Sequence, residues 1–492
     1  MRNALLLILT FMTLLQAQCQ TNHVKLGKTL FDAHSAYREP TITHRRFKHK
    51  DIVPLLEELK QHPAFQVQVV GKSVEQRDIY LVKAGTGPTK VMLWSQMHGD
   101  EPTATMALLD IFNFLQASGD EFDAVRKEIL EQNTLYFIPM LNPDGTDVYK
   151  RRNALNIDLN RDAIRLQSPE ARLLKALRDS LKPEFGFNLH DQSRFYTVGT
   201  TPKPATISFL APAFDYKQTI NSVRERAMRT IVGLNEVVQQ FIPGQVAKYS
   251  DEHEPRAFGD NIQKWGTSLI LIESGGMQGD PEKQYIRQIN FATILAALQI
   301  IGSKSYTRFE RAEYYKIPEN QRNLFDLVLR DVRYKENGKN CVIDVGILQE
   351  EIDAPIPQQF YYKSSVEEIG DMSVFYGYQE LDGKGLTLVP GKVLETPLND
   401  LSELTHERLL QLLSEGYTTV RMQTLPYNIN PVEQLPLNLV HVSGRVSHAL
   451  GLDRMANFVL RQEDGTVRYA IVNGFVYDLQ GERPRLFHGV VL

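Results

Sequence analysis

The chain has 492 residues, enough for two or three domains at about 150 residues each. Hydrophobic residues make up 42% and charged residues 23%, which excludes wholesale disorder. A net charge of -4 excludes a nucleic-acid binder acting through bulk positive charge, and only two cysteines exclude a disulfide-dense scaffold and any multi-cysteine metal site.

The first predicted element is an address. Met1-Arg2-Asn3 is a basic start, and the apolar run from Ala4 to Ala17 is too short to span a bilayer but fits the core of an export signal. Cleavage follows Ala17 or Cys19, and residues 1–19 are assigned to the signal. Lipid anchoring is disfavoured because Gln18, not a small residue, precedes Cys19. No later segment is long and apolar enough for a helical anchor, so the mature protein is expected to be exported, periplasmic or extracellular. Cys341 is left without a partner and is expected to be a small buried hydrophobe.

From about Asn22 to Ser305, strand patterns alternate with helical ones. "VMLWSQ" (91–96) precedes a helix from about Pro102 to Ser118, and "TLYFIPML" (134–141) leads into "NPDG". "SPEARLLKALRDSL" (168–181) leads into "EFGFNLH" (184–190), and "TSLILIE" (267–273) reads as a buried strand. This alternation predicts an α/β domain over 20–305, with a mixed, mostly parallel sheet flanked by helices. Residues 306–492 read as a β-rich domain with one convincing helix, "DLSELTHERLLQLLSEG" (400–416), and no function is assigned to it.

The chemistry lies in the first domain. His98-Gly99-Asp100-Glu101 follows a buried strand and opens a helix, so His98 and Glu101 can turn to one metal ion. His190 ends another apolar strand, where open α/β sheets place their sites. Two histidines and one carboxylate form a catalytic zinc set with a fourth position for water. Asn142-Pro143-Asp144-Gly145 is first of all a turn. Downstream, Arg151, Arg152 and Arg161 lie among Asn153, Asn156 and Asn160; by itself such a basic patch reads equally as a solvated face, but next to a zinc site it suits recognition of an anion such as a carboxylate.

Together "HGDE", "NPDG", "RRN…NIDLNR", "NLHD" and "LILIESGG", in this order, resemble the zinc carboxypeptidases, the carboxypeptidase A-like metallopeptidases. The upstream "GKSVEQRDIYLVKAG" (71–85) is similar as well, and the resemblance covers roughly residues 40–300. It implies that His98, Glu101 and His190 hold one Zn2+ per chain, and that Asp158 orients His98 from outside. It implies that Asn160 and Arg161 grip the substrate's terminal carboxylate, and that Arg151, or alternatively Arg152, stabilises the oxyanion. Glu273 is implied as the general base and acid, and Tyr249 is the candidate for the family's mobile tyrosine.

This sequence departs from the family in Asn160-Arg161-Asp162, where Asn-Arg-Asn is common. An Asp there is expected to alter preference among substrate ends. The base of the side-chain pocket is expected within "PRAFGDNIQKWG" (255–266), with Phe258 and Arg256 as candidates.

The resemblance thus implies a secreted zinc metallocarboxypeptidase acting on peptides with a free C-terminal carboxylate, peptidoglycan stem peptides (muropeptides) included. The alternatives are an amide deacylase of the succinylglutamate desuccinylase/aspartoacylase type and a binding protein that has lost catalysis. Export, NPDG and the extra Arg151 and Arg152 favour the peptidase, and the complete ligand set with Glu273 speaks against lost catalysis.

Overall fold

The computed structural model describes residues 23–356, 358–425, 435–481 and 488–492. The expected signal, with Cys19, lies outside them. The chain forms two compact units, Met1–Arg322 and Asn323–Leu492. Among the described residues, no helix is long and apolar enough to cross a membrane.

The first unit runs through β1 (Phe65–Lys72), β2 (Asp78–Ala84), β3 (Thr89–Ser95), β4 (Asn133–Ile138), β5 (Phe185–Asp191), β6 (Thr197–Val198), β7 (Ile207–Leu210), β8 (Val246–Lys248) and β9 (Ser268–Ser274). All but β6 join one sheet in the order β1-β2-β4-β3-β5-β9-β7-β8. The central strands β4, β3, β5 and β9 are parallel, and β7 pairs antiparallel with β9. The expected mixed, largely parallel sheet is therefore present. From β3 the chain goes to β4 on one side and later to β5 on the other. The carboxyl ends of β3 and β5 thus flank a switch point, where such sheets bind ligands.

Helices α1 (His49–Leu59), α2 (Thr103–Gln116), α3 (Asp123–Gln132), α4 (Pro143–Asp147), α5 (Pro169–Leu181), α6 (Ser222–Val238), α7 (Phe258–Lys264) and α8 (Gln284–Gly302) cover the sheet. Side chains alternate along each strand, so one sheet yields two cores. Val91, Leu93, Phe185, Phe187, Ile270 and Ile272 pack with α2, α6 and α8 on one face. Met92, Trp94 and Leu269 pack with Ala171 and Leu174 of α5 and Phe258 and Ile262 of α7 on the other. Each large apolar side chain buried in this way contributes roughly 1.5–3 kcal/mol. Such double-sided burial is why these strands read as continuous apolar runs rather than alternating ones.

The boundary falls later than the expected 305/306. Tyr314 is fully buried in the first unit's core, and its hydroxyl accepts a hydrogen bond from the Ala211 amide at 3.1 Å. Strand β10 (Asn320–Gln321) pairs with β6. The texture does change near 306, but the first strand of the second unit begins only at Leu324.

The second unit is rich in strands, as expected. One sheet takes the segments Phe360–Gly370, Lys339–Asp353, Leu324–Glu336, Thr387–Pro390, Phe458–Arg461, Val467–Val472 and Phe475–Asp478 in spatial order. A smaller, parallel sheet is formed by Lys392–Leu398, Tyr417–Met422 and Asn438–His441. The anticipated helix spans His406–Glu415; the Thr405 hydroxyl caps its start, and Gly416, at φ 94°, ends it in the left-handed region. Cys341 is exposed, not buried as expected, with its thiol 3.4 Å from the Tyr334 carbonyl. Its strand is exposed on both faces over Lys339–Val342, at the hairpin end beside Glu336.

Candidate active site

Three strand ends supply the site. β3 ends at Ser95, and the next turn carries His98 and Glu101 to the start of α2. β5 carries His190 and β9 carries Glu273, which are register partners on adjacent parallel strands. All four side chains are buried.

The turn after β3 is fixed by close backbone packing. A Cβ on Gly99 would overlap the Gly145 carbonyl carbon, so only glycine lets the two loops approach. NPDG forms the short helix α4, and Asn142 caps it by accepting from the Gly145 amide at 3.0 Å. The Asn142 side-chain amide reaches the Met97 carbonyl at 3.3 Å and the Arg151 carbonyl at 3.4 Å. Asp144 accepts from the Ser73 hydroxyl, the Glu75 amide and Arg77 at 2.6, 2.9 and 2.7 Å. The tetrapeptide is thus a capped turn that couples the His98 loop to the Arg151 loop.

His98 Nδ1 lies 2.7 Å from Glu101 Oε1, and His190 Nδ1 lies 2.6 Å from Glu101 Oε2. Ligand atoms of the three residues all fall within 4.8 Å of one another. His98 Nε2 faces Asp158 Oδ1 at 3.1 Å, so its proton belongs on that nitrogen and the Nδ1 lone pair points inward. Two imidazole nitrogens and a carboxylate, buried together, suit zinc. His190 Nε2 and Glu273 Oε2 are buried and without a hydrogen-bond partner among the described residues.

Arg151 joins this cluster. Its Nε donates to Asp158 Oδ2 at 3.0 Å, and its Nη1 lies 3.1 Å from His98 Nδ1 and 3.2 Å from Glu101 Oε1. Arg152 instead points to solvent and donates to the Asn156 carbonyl at 2.9 Å. The structure therefore separates the two arginines that sequence reading left open.

The electrostatics divide the carboxylates. Burial opposes ionisation of Asp158, but hydrogen bonds and charge from His98 and Arg151 outweigh it and hold its pKa well below the usual range. Burial likewise opposes ionisation of Glu101, yet the charges of His98 and His190 keep it well below the ordinary value. Glu273 goes the other way: burial first, and then the nearby charge of Glu101, push it well above the carboxylate range. Two acids driven apart in this way mark separate roles.

Asn160 and Arg161 lie on the turn after Asp158, which caps that turn. Asn160 Oδ1 accepts from the Phe258 amide at 2.9 Å, tying the turn to the start of α7. Arg161 is exposed, and its Nε lies 3.3 Å from Glu254 Oε2. Arg256 holds the same carboxylate through two hydrogen bonds, at 3.0 and 2.9 Å. Sequence reading missed Glu254, for nothing in "EHEPRA" marks it as the partner of an arginine far away in sequence.

Two expectations need correction. Asp162 does not face the Asn160–Arg161 pair; it is buried and accepts from the Gln167 amide, the Ser168 amide and the Ser168 hydroxyl at 2.9, 2.8 and 2.8 Å. Its role is to fix the turn into α5. Phe258 is fully buried in the core beneath the sheet, so it cannot floor a substrate pocket. Arg256 is exposed and paired with Glu254. Tyr249 does lie on the site's side: its hydroxyl is pushed up by burial first, then by Glu273, and its ring lies 6.1 Å from that of Tyr196.

Residues 52–174 match the family model described as zinc carboxypeptidase, and that segment is of this family. The match includes His98, Glu101, Arg151, Asp158, Asn160 and Arg161 and ends before His190 and Glu273. Carboxypeptidase SOL1 of Arabidopsis thaliana is 33% identical over 99 residues, 19% of this chain and 20% of the relative. Probable carboxypeptidase 2 of Arthroderma benhamiae is 29% identical over 136 residues, 27% of this chain and 24% of the relative. The chain thus spans about a quarter or less of the length of these relatives. A metallo-carboxypeptidase structure from Burkholderia cenocepacia is 17% identical, covering 53% of this chain and 70% of that one, with a TM-score of 0.43.

Proposed function

We propose that the chain is an exported zinc metallocarboxypeptidase that removes a residue from peptides ending in a free carboxylate, peptidoglycan stem peptides among them. The observation that carries this reading is the buried His98–Glu101–His190 cluster with Glu273 beside His190 on the next strand. The proposal of export rests on the apolar stretch between Ala4 and Ala17.

Zinc held by His98, Glu101 and His190 would polarise the scissile carbonyl and lower the pKa of a bound water. Asp158 keeps the His98 ring turned so that Nδ1 faces Glu101, where it would meet the metal. Glu273, with a raised proton affinity and an unpartnered buried oxygen, takes a proton from water and returns it to the leaving amine. The Arg151 guanidinium, anchored by Asp158, stabilises negative charge developing on the carbonyl oxygen. Asn160 and Arg161 hold the terminal carboxylate, which limits cleavage to the last bond.

Mass spectrometry of products from a mixed pool of free peptides, C-terminally amidated peptides and muropeptides tests the reading. Expected is loss of single C-terminal residues from the free-ended species only. Release of acyl groups, or equal cleavage of amidated peptides, would sink it.

A further inference from the structure

Lys283 is the residue just before α8, and it holds a left-handed backbone conformation, φ 50°, that side chains rarely adopt. The turn is pinned by Asp280, whose carboxylate accepts from the amides of Gln284, Tyr285 and Ile286 at 2.7, 3.0 and 3.1 Å. This geometry sends the Lys283 side chain inward, where it is 11% exposed. Its ammonium donates to Asp191 Oδ2 and to the Ser274 carbonyl, both at 3.0 Å.

Those two acceptors sit at the ends of β5 and β9, and Asp191 and Ser274 are register partners. One residue earlier on each strand stand His190 and Glu273. Asp191 also takes the Thr103 hydroxyl at 2.6 Å, and its amide donates to Glu101 Oε2 at 3.2 Å. The Ser274 carbonyl also accepts from the Gln192 amide at 3.0 Å. A single, largely covered cation thus ties together the start of α2, the end of β5 and the end of β9.

We propose that Lys283 is a positioning residue: its ammonium locks the Asp191 and Ser274 ends and so fixes His190, Glu101 and Glu273 relative to one another. The inference rests on the metallopeptidase reading for its catalytic meaning, but the lock can be measured without it. A structural ion pair alone would matter only because Lys283 neutralises a buried carboxylate. The lock also needs the bond to the Ser274 carbonyl, which removing the charge on Asp191 cannot replace.

The test compares wild type, Lys283→Met and Lys283→Met/Asp191→Asn. On apoprotein, amide exchange across 185–192 and 268–274 is expected to be about tenfold faster in both variants; unchanged exchange overturns the proposal. On zinc-loaded protein, chelator competition is expected to show Kd weakened about tenfold or more in both. The double variant, free of the unpaired carboxylate, should recover the Tm lost by the single one. Zinc affinity that recovers along with Tm overturns the lock in favour of simple neutralisation. Wild type that loads zinc but releases no terminal residue ends the peptidase reading and leaves both comparisons intact.

Discussion

His190 and Glu273 face each other as register partners across the parallel strands β5 and β9. In a parallel pair, register partners point to the same face, so this one alignment sets both the imidazole of the candidate metal cluster and the carboxylate proposed as its base. A slip of one residue would send either side chain into the apolar core on the other face. The flanking partners Leu189 and Ile272 are already committed to that core, at 1% exposure each.

The first prediction concerns the metal. Purified protein should contain close to one equivalent of zinc, and His190→Ala should lose it. The cluster has three donors, and removing one leaves a histidine and a carboxylate, too few to hold zinc against solvent. Full activity in rigorously metal-free protein would refute the assignment.

Glu273→Gln should keep its zinc and fold but lose turnover. The amide is close in size to the acid and fits the same strand end, yet it cannot take up or return a proton. General acid–base assistance is worth about 10²–10⁴-fold, so kcat should fall at least that far with zinc content unchanged. Near-normal kcat would place the base elsewhere.

The clustering of His98, Glu101 and His190, with Glu273 beside them, was legible in the sequence because each sits at or just beyond the point where a continuous apolar strand stops, and only strand ends reach the sheet's rim. Arg151 and Arg152 could not be told apart, because neighbours on an irregular loop point in directions set by distant partners, here Asp158 and the Asn156 carbonyl. Asp162 misled because its position beside Arg161 suggested a shared role, while its carboxylate turns to residues five and six positions on. Lys283 carried no signal at all: it belongs to a loop, and its partners lie 92 and 9 residues away.

Gly99→Ala should be far more damaging than Gly259→Ala, although both glycines are buried. A Cβ at Gly99 would run into the backbone of Gly145 and Thr146, which cannot move without displacing the Arg151 loop. At Gly259 it would meet Leu269 and Pro212 at 3.5 Å, ordinary contact. Thermal unfolding should show a loss of about 2–3 kcal/mol for Gly99→Ala and under about 1 kcal/mol for Gly259→Ala. Equal losses would show that the loop packing tolerates a methyl group.

Asp260 provides a pH test of stability. It is buried at the start of α7, and burial pushes its pKa up to about 6 despite hydrogen bonds from the Glu254 amide and His253. The folded state therefore favours the protonated form. That contribution is fully present below the unfolded value near 3.9 and is lost as pH rises through about 6. Asp260→Asn stays neutral throughout, so its stability relative to wild type should be near zero at pH 4 and reach about 1–3 kcal/mol at pH 8. Urea titrations at the two pH values measure the difference, and a variant less stable at pH 8 would contradict the assignment.

The last prediction uses the pairing of Arg161 with Glu254. If Arg161 binds a substrate's terminal carboxylate, the Glu254 carboxylate 3.3 Å from its Nε is a resident competitor. The pair is solvent-exposed enough that it is worth only about 0.2–1 kcal/mol, so a substrate can displace it at small cost. Glu254→Gln should therefore lower KM for free-ended peptides by a factor of about 1.5–5 and leave kcat nearly unchanged. Arg161→Ala should act in the opposite direction, costing about ten- to hundredfold in kcat/KM, because a charged hydrogen bond is worth roughly 1.5–3 kcal/mol. Amidated peptides, which carry no charge for Arg161 to bind, should remain uncleaved by wild type and by both variants. Arg256 complicates the reading in one respect: freed of Glu254, it can turn to the substrate carboxylate itself. Glu254→Gln/Arg256→Ala separates the contributions, since a KM gain that survives the second change belongs to Arg161. An unchanged KM in Glu254→Gln, with Arg161→Ala equally harmless, would mean that the terminal carboxylate is bound elsewhere.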